Sequence, residues 1–336
     1  MVPRPVLRRR PLLAGLLACS LGPAKAEARR FRIVLANLDE TPGVTLEGLG
    51  FTGTEVRRSF ELAARTLPVD MIYFDNAGDP ARAVANAEAA IAARADLLIE
   101  YCADAAANAE IARRLAAAGI PALALVDPLP GAPLYGPDNR AAGRIAGRAL
   151  GAFARETWPD EPVLGVLIGD LADSGPAISD RAQGITEGVH ESLPTLKLAS
   201  LDTGGQSVRA DALMTKFLQT ERGQRLLIAT LDDLSAVYAK NAIELNRRQS
   251  DSVIVSQGLD RNIHGGASEK KEIDPNNRGS VVLGSVAYYM DRYGDDVLPL
   301  ALRLLRGETL PLRTVTQHIL VTAANVFREY PPIDMN

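Results

Sequence analysis

Three glycines near the start of the chain have the spacing of a dinucleotide-binding loop. Residues 48–53 read GLGFTG, which matches G-x-G-x-x-G, and the acidic residue Asp75 follows about twenty residues later. In nucleotide-binding units such glycines let the backbone approach a pyrophosphate at a helix N-terminus, and the acid binds a ribose hydroxyl. The pattern therefore raises hydride transfer with a nicotinamide cofactor as one hypothesis.

The position of these glycines argues against a cofactor turn. The apolar run FRIVLAN ends at Asn37, and Gly48 comes eleven residues later, after LDETPGVTLE. A pyrophosphate-binding turn joins its strand directly to the helix, so that the helix N-terminus meets the phosphates. We therefore interpret residues 38–53 as the lip of a binding cleft, and an exported NAD(P)-dependent oxidoreductase stays as an alternative.

No other catalytic or metal-binding pattern is present in the sequence. The histidines at 190, 264 and 318 have no ligand-like spacing, and G-x-S-x-G, Walker and C-x-x-C motifs are missing. The leading expectation is therefore a protein that is not an enzyme and that uses no metal and no cofactor.

Polar side chains stand where several apolar runs end. They are Asp39, Glu40, Glu100, Tyr101, Asp127, Arg181, Asp232 and Asp260. The strand ends of a parallel sheet face a shared cleft, where carboxylates and a guanidinium can bind polar groups of a ligand. A strand-end acid can instead cap the next helix, and Asp232 in particular also fits that role.

Apolar runs alternate with helical patterns from Phe31 onward. Runs such as FRIVLAN, DMIYFD and VLGVLIGD are separated by about 15 to 30 residues whose apolar positions lie three and four apart. This alternation predicts parallel sheets covered by helices on both faces. A chain of 336 residues exceeds one ordinary core, and the Pro- and Gly-rich segment from Val126 to Asn139 divides it into two similar halves.

The first 26 residues have the layout of an export signal. A basic segment is followed by the short apolar run PLLAGLLA and by AKA, a small-residue cleavage site that ends at Ala26. LLAC, which ends at Cys19, is a loose lipoprotein box, and RRPLL is a loose twin-arginine pattern. We expect a periplasmic protein that is cleaved after Ala26 or tethered at Cys19.

Export would make the remaining chain acidic. Residues 1–26 hold five of the 37 basic residues and none of the 41 acidic ones, so their removal leaves a net charge of −9. No long basic run remains, and nucleic acid is therefore not an expected partner.

Several segments resemble, in order along the chain, the type 1 periplasmic solute-binding proteins, the ribose-binding group of ABC importers. GPDNRAAGRIAG resembles the crossing motif DN-x-x-x-G-x-x-A, DRAQGITEGV resembles R-x-x-G-F-x-x-A, and SQGLD resembles GFD or GID. GIPALALVD and TLDDLSAVYAKNAIE resemble two further family segments. Each match is short, and their order and spacing carry the resemblance.

The resemblance implies an α/β fold of two Rossmann-like lobes, with parallel sheets flanked by helices and a three-stranded hinge between them. The chain would cross from one lobe to the other near residues 135–139, 283–285 and 311–313. The N-terminal lobe would then comprise residues 31–135 plus 286–311, and the C-terminal lobe residues 140–283 plus 313–336.

The resemblance also implies a function. A monomer would capture a small-molecule ligand between its lobes and deliver it to an inner-membrane ABC permease. A sensor that presents the ligand to a membrane receptor is the alternative within the same family.

Three residues match family positions that hydrogen-bond sugar hydroxyls, namely Asp127, Arg181 and Asp260. We expect Asp127 and Arg181 to face each other across the cleft. Both are interpreted as loop-edge residues, so that their removal should weaken ligand binding at little cost in stability.

The sequence departs from the family at three positions that bear on the ligand. Phe51 is the only aromatic residue of the first loop, where the family carries stacking rings. Leu231 stands at an asparagine position, and Tyr288 stands where the family has a glutamine at the return crossing. The ligand class therefore stays open among sugars, polyols, cationic solutes and more apolar solutes.

Overall fold

The computed structural model describes residues 29–172, 175–265, 271–277 and 279–331. Their strands are β1 Phe31–Asn37, β2 Val69–Asp75, β3 Leu97–Glu100, β4 Ala122–Leu125, β5 Leu134–Gly136, β6 Val163–Gly169, β7 Leu198–Asp202, β8 Arg225–Thr230, β9 Ser252–Gly258, β10 Val282–Ala287, β11 Arg313–Val315 and β12 Leu320–Thr322. Their helices are α1 Gly53–Ala64, α2 Pro80–Ala92, α3 Ala105–Ala118, α4 Asn139–Thr157, α5 Gly175–His190, α6 Arg209–Thr220, α7 Asp233–Leu245, α8 Arg261–His264, α9 Tyr293–Leu305 and α10 Val326–Glu329. None of these helices is long and apolar enough to cross a membrane.

The strands form two six-stranded sheets, one in each lobe. The first has the order β11-β5-β4-β3-β1-β2, and all of its pairs are parallel. The second has the order β12-β10-β9-β8-β6-β7, in which only β12 runs antiparallel to its neighbour. The predicted α/β fold of two lobes with parallel sheets is therefore confirmed.

Local chemistry explains where several of the elements begin. Strand β9 is buried along its whole length, as expected for a central parallel strand with helices on both faces. Aspartates at 79, 104, 138 and 232 begin α2, α3, α4 and α7, and each accepts a hydrogen bond from a backbone N–H of the first helical turn. Such caps satisfy donors that an α-helix leaves unpaired at its N-terminus.

Helices α4 and α5 touch along their backbones, and this contact positions the second lobe's side of the cleft. A Cβ atom on Gly143 would lie 2.1 Å from the carbonyl oxygen of Arg181, and one on Gly184 would lie 2.1 Å from that of Arg140. Because neither glycine has a side chain, α5 lies against α4 with Arg181 directed at the N-terminal turn of α4.

The strand pairing locates the three crossings between the lobes. The first lies at residues 137–138, between β5 and α4, within the predicted range. The second follows Ala287, because β10 stays paired to β9 up to that residue. The third follows Val315, because β11 pairs with β5 of the first sheet. The second and third crossings thus lie a few residues later than predicted, and the lobe boundaries as such stay a prediction.

One imidazole joins all three crossings. Nδ1 of His318 donates to the carbonyl oxygen of Ala287 over 2.9 Å, and Nε2 accepts from the backbone N–H of Asp138 over 3.0 Å. The ring also packs at a tilt against Tyr288, with 4.7 Å between ring centroids. Only the neutral ring with its proton on Nδ1 makes both hydrogen bonds, since protonation would turn Nε2 into a donor that faces another donor.

The glycine contact predicts a loss of stability on small substitutions. Gly143→Ala and Gly184→Ala each place a methyl group on the facing helix backbone, and we expect each to cost about 1–3 kcal/mol of unfolding free energy. Urea unfolding measures this cost, with Glu156→Ala on the exposed face of α4 as the control. Variants as stable as that control would mean that the two helices do not pack so closely.

His318 predicts a pH dependence of stability. Burial, more than the nearby Arg181, lowers its pKa, while the bond to Ala287 and the charge of Asp138 partly oppose that shift. A group whose pKa is depressed by folding contributes fully above its unfolded pKa of about 6.5, and this contribution is lost as the pH falls below that value.

The test compares unfolding free energies of the parent and His318→Gln from about pH 8 to about pH 5. We expect the parent to lose more stability over this range. His264, whose pKa burial lowers to about 4, contributes equally to both proteins and cancels in the difference. Parallel profiles would contradict the assigned role of His318.

Candidate ligand-binding cleft

The glycine-rich motif forms part of the tip and the second arm of a β-hairpin. Thr45 and Thr52 form an antiparallel bridge, and the backbone N–H of Leu46 donates to the carbonyl oxygen of Phe51 over 2.8 Å. Four residues, 47–50, separate the paired Leu46 and Phe51, and at the tip Glu47 and Gly48 have left-handed φ angles of +57° and +61°. We call residues 45–52 the tip hairpin. Helix α1 begins only after it, at Gly53, so these glycines form no strand-to-helix cofactor turn.

Asp75 anchors the base of this loop. Its carboxylate accepts from the backbone N–H groups of Glu40 and Ala77, over 3.0 and 2.8 Å. The acid that would bind a ribose in a nucleotide site therefore orders the start of the loop through Glu40 and the turn after β2 through Ala77.

The tip hairpin reaches across to the second lobe. The carbonyl oxygen of Glu47 accepts from Nη2 of Arg181 over 3.1 Å. Gly50 lies against Asp260 so closely that a Cβ atom there would stand 1.4 Å from the carboxylate oxygen Oδ2. Leu49 is 2% exposed. The two lobes are thus in contact through this hairpin.

Arg181 is the polar centre of the second lobe's side. It is fully buried and donates from Nη1 to the carbonyl oxygen of Leu231 over 2.6 Å. Nε and Nη2 donate to Oδ1 of Asn139 over 3.2 and 3.0 Å. The guanidinium carbon lies 5.0 Å from the ring centroid of Tyr288, whose hydroxyl also donates to Asn139 over 3.1 Å. Oxygen acceptors that carry no formal charge therefore satisfy most of its donors.

Carboxylates are the main polar groups on the first lobe's side of the cleft. Oε1 of Glu47 accepts from the hydroxyl of Tyr101 over 2.8 Å, and burial raises the pKa of Glu47. Burial, and then the charge of Glu47, raises the pKa of the half-buried Asp127 to about 6. Among the described residues none donates a hydrogen bond to the Asp127 carboxylate, which leaves it free to accept one from a ligand.

Asp260 presents a second free acceptor. It is 2% exposed, its Oδ1 accepts from the backbone N–H of Asn262 over 2.7 Å, and its Oδ2 has no partner among the described residues. Burial is the main reason that its pKa is raised. The carboxylate of Asp233 fixes the backbone of Asp260, because it accepts a hydrogen bond from the Asp260 N–H over 2.6 Å.

The two acids at the strand ends share an unusual backbone. Strand β4 ends just before Val126, which has φ of +62° and precedes Asp127. Strand β9 ends just before Leu259, which has φ of +63° and precedes Asp260. Left-handed backbone is costly for residues of this type and clusters at functional sites. A residue with left-handed backbone therefore directly precedes the acid in each lobe.

Comparison with protein-family models gives one match that covers most of the chain. The model described as periplasmic binding protein domain matches residues 47–309. The chain belongs to the periplasmic binding protein family. A comparison with curated proteins finds no significant match.

Solved structures agree with this fold at low sequence identity. A sugar ABC transporter sugar-binding protein from Bacillus halodurans is 19% identical at a TM-score of 0.68, with 89% of this chain and 99% of that chain covered. An ABC transporter periplasmic solute-binding protein from Actinobacillus succinogenes with bound D-allose is 16% identical at 0.68, covering 90% and 100%. A Bacillus halodurans solute-binding protein with bound myo-inositol is 16% identical at 0.63, covering 91% and 98%.

Four predicted site residues of this periplasmic binding protein lie together at the contact between the lobes. They are Tyr101, Arg181, Asp260 and Tyr288, and Asp127 lies beside Glu47 at the same place. Arg181, however, is no loop-edge residue, since it belongs to α5 and is fully buried. Its removal would leave buried acceptors unpaired, so we withdraw the expectation that stability would hardly change.

The other predicted residues have structural contacts away from the cleft centre. Asp39 accepts from the backbone N–H of Thr41, and Glu40 pairs with Arg57 over 3.2 Å, so both order the loop base. Phe51 is 2% exposed and belongs to a hydrophobic cluster that contains residues of both lobes. The loop folds back as a hairpin, which turns this aromatic side chain inward.

Glu100 and Asp232 have local partners as well. Oε1 of Glu100 accepts from Nδ2 of Asn76 over 2.9 Å, and the side chain is 1% exposed. Asp232 caps α7 by accepting from the backbone N–H of Ser235 over 2.7 Å, and it also accepts from the hydroxyl of Ser207 over 3.0 Å. For Asp232 the alternative interpretation, a helix cap, describes its contacts.

The sequence interpretation missed two cleft residues. Glu47 precedes Gly48, but glutamate is not among the residues preferred at hairpin turns, so no local signal placed Glu47 at a tip. Asn139 was not proposed as a site residue, because its contact with Arg181 joins two helices whose interacting residues are distant in sequence. The predicted export signal and the Cys19 tether lie outside the described residues.

Glu100 predicts a second pH effect. Burial raises its pKa to about 8, against about 4.3 in an unfolded chain. Between these values the folded state holds a proton that the unfolded state lacks, so stability falls as the pH rises, by up to about 1.4 kcal/mol per pH unit. We expect Glu100→Gln to remove this slope between about pH 5 and about pH 8, as measured by urea unfolding. The exposed Glu156→Gln is the control, and an unchanged slope in Glu100→Gln would show that Glu100 is ionised.

Proposed function

We propose that this periplasmic binding protein captures a small hydroxyl-bearing solute, a sugar or polyol, between its lobes and delivers it to an ABC permease. The observation that best supports this proposal is the pair of acids Asp127 and Asp260. Each follows a residue with left-handed backbone at a strand end, and each keeps carboxylate acceptors without partners among the described residues.

Hydroxyl groups suit this arrangement because each both donates and accepts. A ligand hydroxyl can donate to a carboxylate of either lobe while it accepts from the fork of Arg181. Capture of this kind makes and breaks no bond, and closure of the lobes on a hinge supplies the affinity. The solved relatives with D-allose and myo-inositol support this ligand class by analogy of fold.

The first experiment identifies the ligand without a prior guess. Mass spectrometry of compounds released from the denatured protein should detect a sugar or polyol, and thermal shifts with D-allose and myo-inositol extend the search. Release of a nicotinamide nucleotide would support the oxidoreductase alternative and overturn the proposal. Solute uptake by cells that lack the protein separates import from a sensing role.

Asp127 gives the cleanest mutational prediction. We expect Asp127→Asn to weaken binding of the identified solute at least about tenfold, because a charged acceptor of a buried hydroxyl is lost. The unfolding midpoint should stay close to the parent's, since the carboxylate has no described hydrogen-bond donor.

The matched control is Asp180→Asn, which changes an exposed acid next to Arg181 on α5. Calorimetric titration beside thermal melts decides the outcome. Equal affinity of both variants and the parent would place the ligand away from Asp127.

A further inference from the structure

The tip hairpin occupies the place between the lobes where the proposed function puts a ligand. Its tip lies between Tyr101 of the first lobe and Arg181 of the second. We propose that this hairpin is an internal clamp, which holds the two lobes closed when no ligand is bound and must move aside for capture.

Glu47 is bound on both sides of the cleft. Its carboxylate accepts from the Tyr101 hydroxyl, and its carbonyl oxygen accepts from Arg181. The residue adopts left-handed backbone, which is unfavourable for glutamate, and these two hydrogen bonds offset that cost. Glu47 of the first lobe thus supplies a hydrogen-bond acceptor for the guanidinium of Arg181 in the second lobe.

The hairpin also fits the second lobe sterically. A Cβ atom on Gly48 would lie 2.9 Å from Cδ1 of Ile178, and one on Gly258 would lie 3.7 Å from Cδ2 of Leu49. At Gly50 the missing side chain makes room for the carboxylate of Asp260. The hairpin glycines at 48 and 50 therefore stand where the second lobe comes close, which favours a seated hairpin over a loose one.

The contacts also indicate what can displace the hairpin, and this step rests on the proposed function. Arg181 and Tyr101 are donors, and the groups of Glu47 that they bind are oxygen acceptors. A solute that replaces Glu47 must offer acceptor oxygens at both places, or these donors remain buried without partners. Sugar and polyol hydroxyls meet this requirement, whereas a solute with only apolar or cationic groups does not.

The clamp is testable on ligand-free protein by small-angle X-ray scattering. Denaturation and refolding first remove any bound compound. We expect the parent to scatter as the closed form, and Gly50→Ala, whose methyl group collides with Asp260, to raise the ratio of open to closed molecules at least about tenfold. The radius of gyration should increase accordingly.

Two controls keep the outcome interpretable. Gly279→Ala is the matched substitution, since a Cβ atom there has no atom of the described residues within 4 Å, and it should scatter like the parent. Tyr101→Phe removes one bond to Glu47 without filling space, and we expect a smaller shift toward the open form. An open parent, or a Gly50→Ala variant as closed as the parent, would overturn the proposal even if Gly50→Ala also lowered the melting temperature.

Stopped-flow binding kinetics separate this inference from the proposed function. If both hold, D-allose or the released solute binds Gly50→Ala faster than the parent, because no hairpin has to leave first. Open scattering of Gly50→Ala without binding of any sugar or polyol by either protein would support the clamp and reject the ligand class.

Discussion

The buried guanidinium of Arg181 is the interaction on which the rest of the cleft depends. A cation removed from water is strongly destabilising unless its donors find partners. Here a carbonyl at the end of β8, the amide of Asn139 at the start of α4 and the carbonyl of Glu47 supply them, while Tyr288 covers one face of the plane. These groups come from both lobes and from a crossing, so one side chain couples the closure of the lobes to the hinge.

The position of that guanidinium follows from backbone packing. Helix α5 can direct Arg181 at Asn139 only because glycines bring α4 and α5 into contact. Helix α4 in turn begins at Asp138, whose backbone N–H is bound by His318 of the third crossing. A continuous chain of contacts therefore connects His318 at the third crossing, through the helix pair, to Arg181 in the cleft.

The cleft contains more acidic than basic side chains. Glu47, Asp127 and Asp260 have raised pKa values mainly because burial disfavours their charged forms. A ligand that donates hydrogen bonds relieves this cost, and the hydroxyl of Tyr101 relieves part of it at Glu47. Glu47 accordingly has two effects. It accepts hydrogen bonds from Tyr101 and Arg181, and its charge makes the ionised form of Asp127 less favourable.

The sequence by itself determined the layers of this fold. Apolar runs and helical periodicity predicted the longer strands of both sheets and most helices, because burial on a sheet or a helix face leaves a local pattern that needs no distant partner. The short strands β5 and β11 were not predicted as strands, since three residues carry too little pattern. The order of family-like segments was likewise a local property, and it led to the correct family.

Only the tertiary structure decided which polar residues meet. Arg181 and Glu47 are separated by 134 positions, and nothing in either neighbourhood encodes their contact. The glycines of GLGFTG had the spacing of a phosphate-binding loop, but their environment makes them a hairpin that fits against Asp260. Phe51 turned inward and Glu100 paired with Asn76 for the same reason. A residue's type and spacing define what it can bind, whereas long-range packing selects the partner it finds.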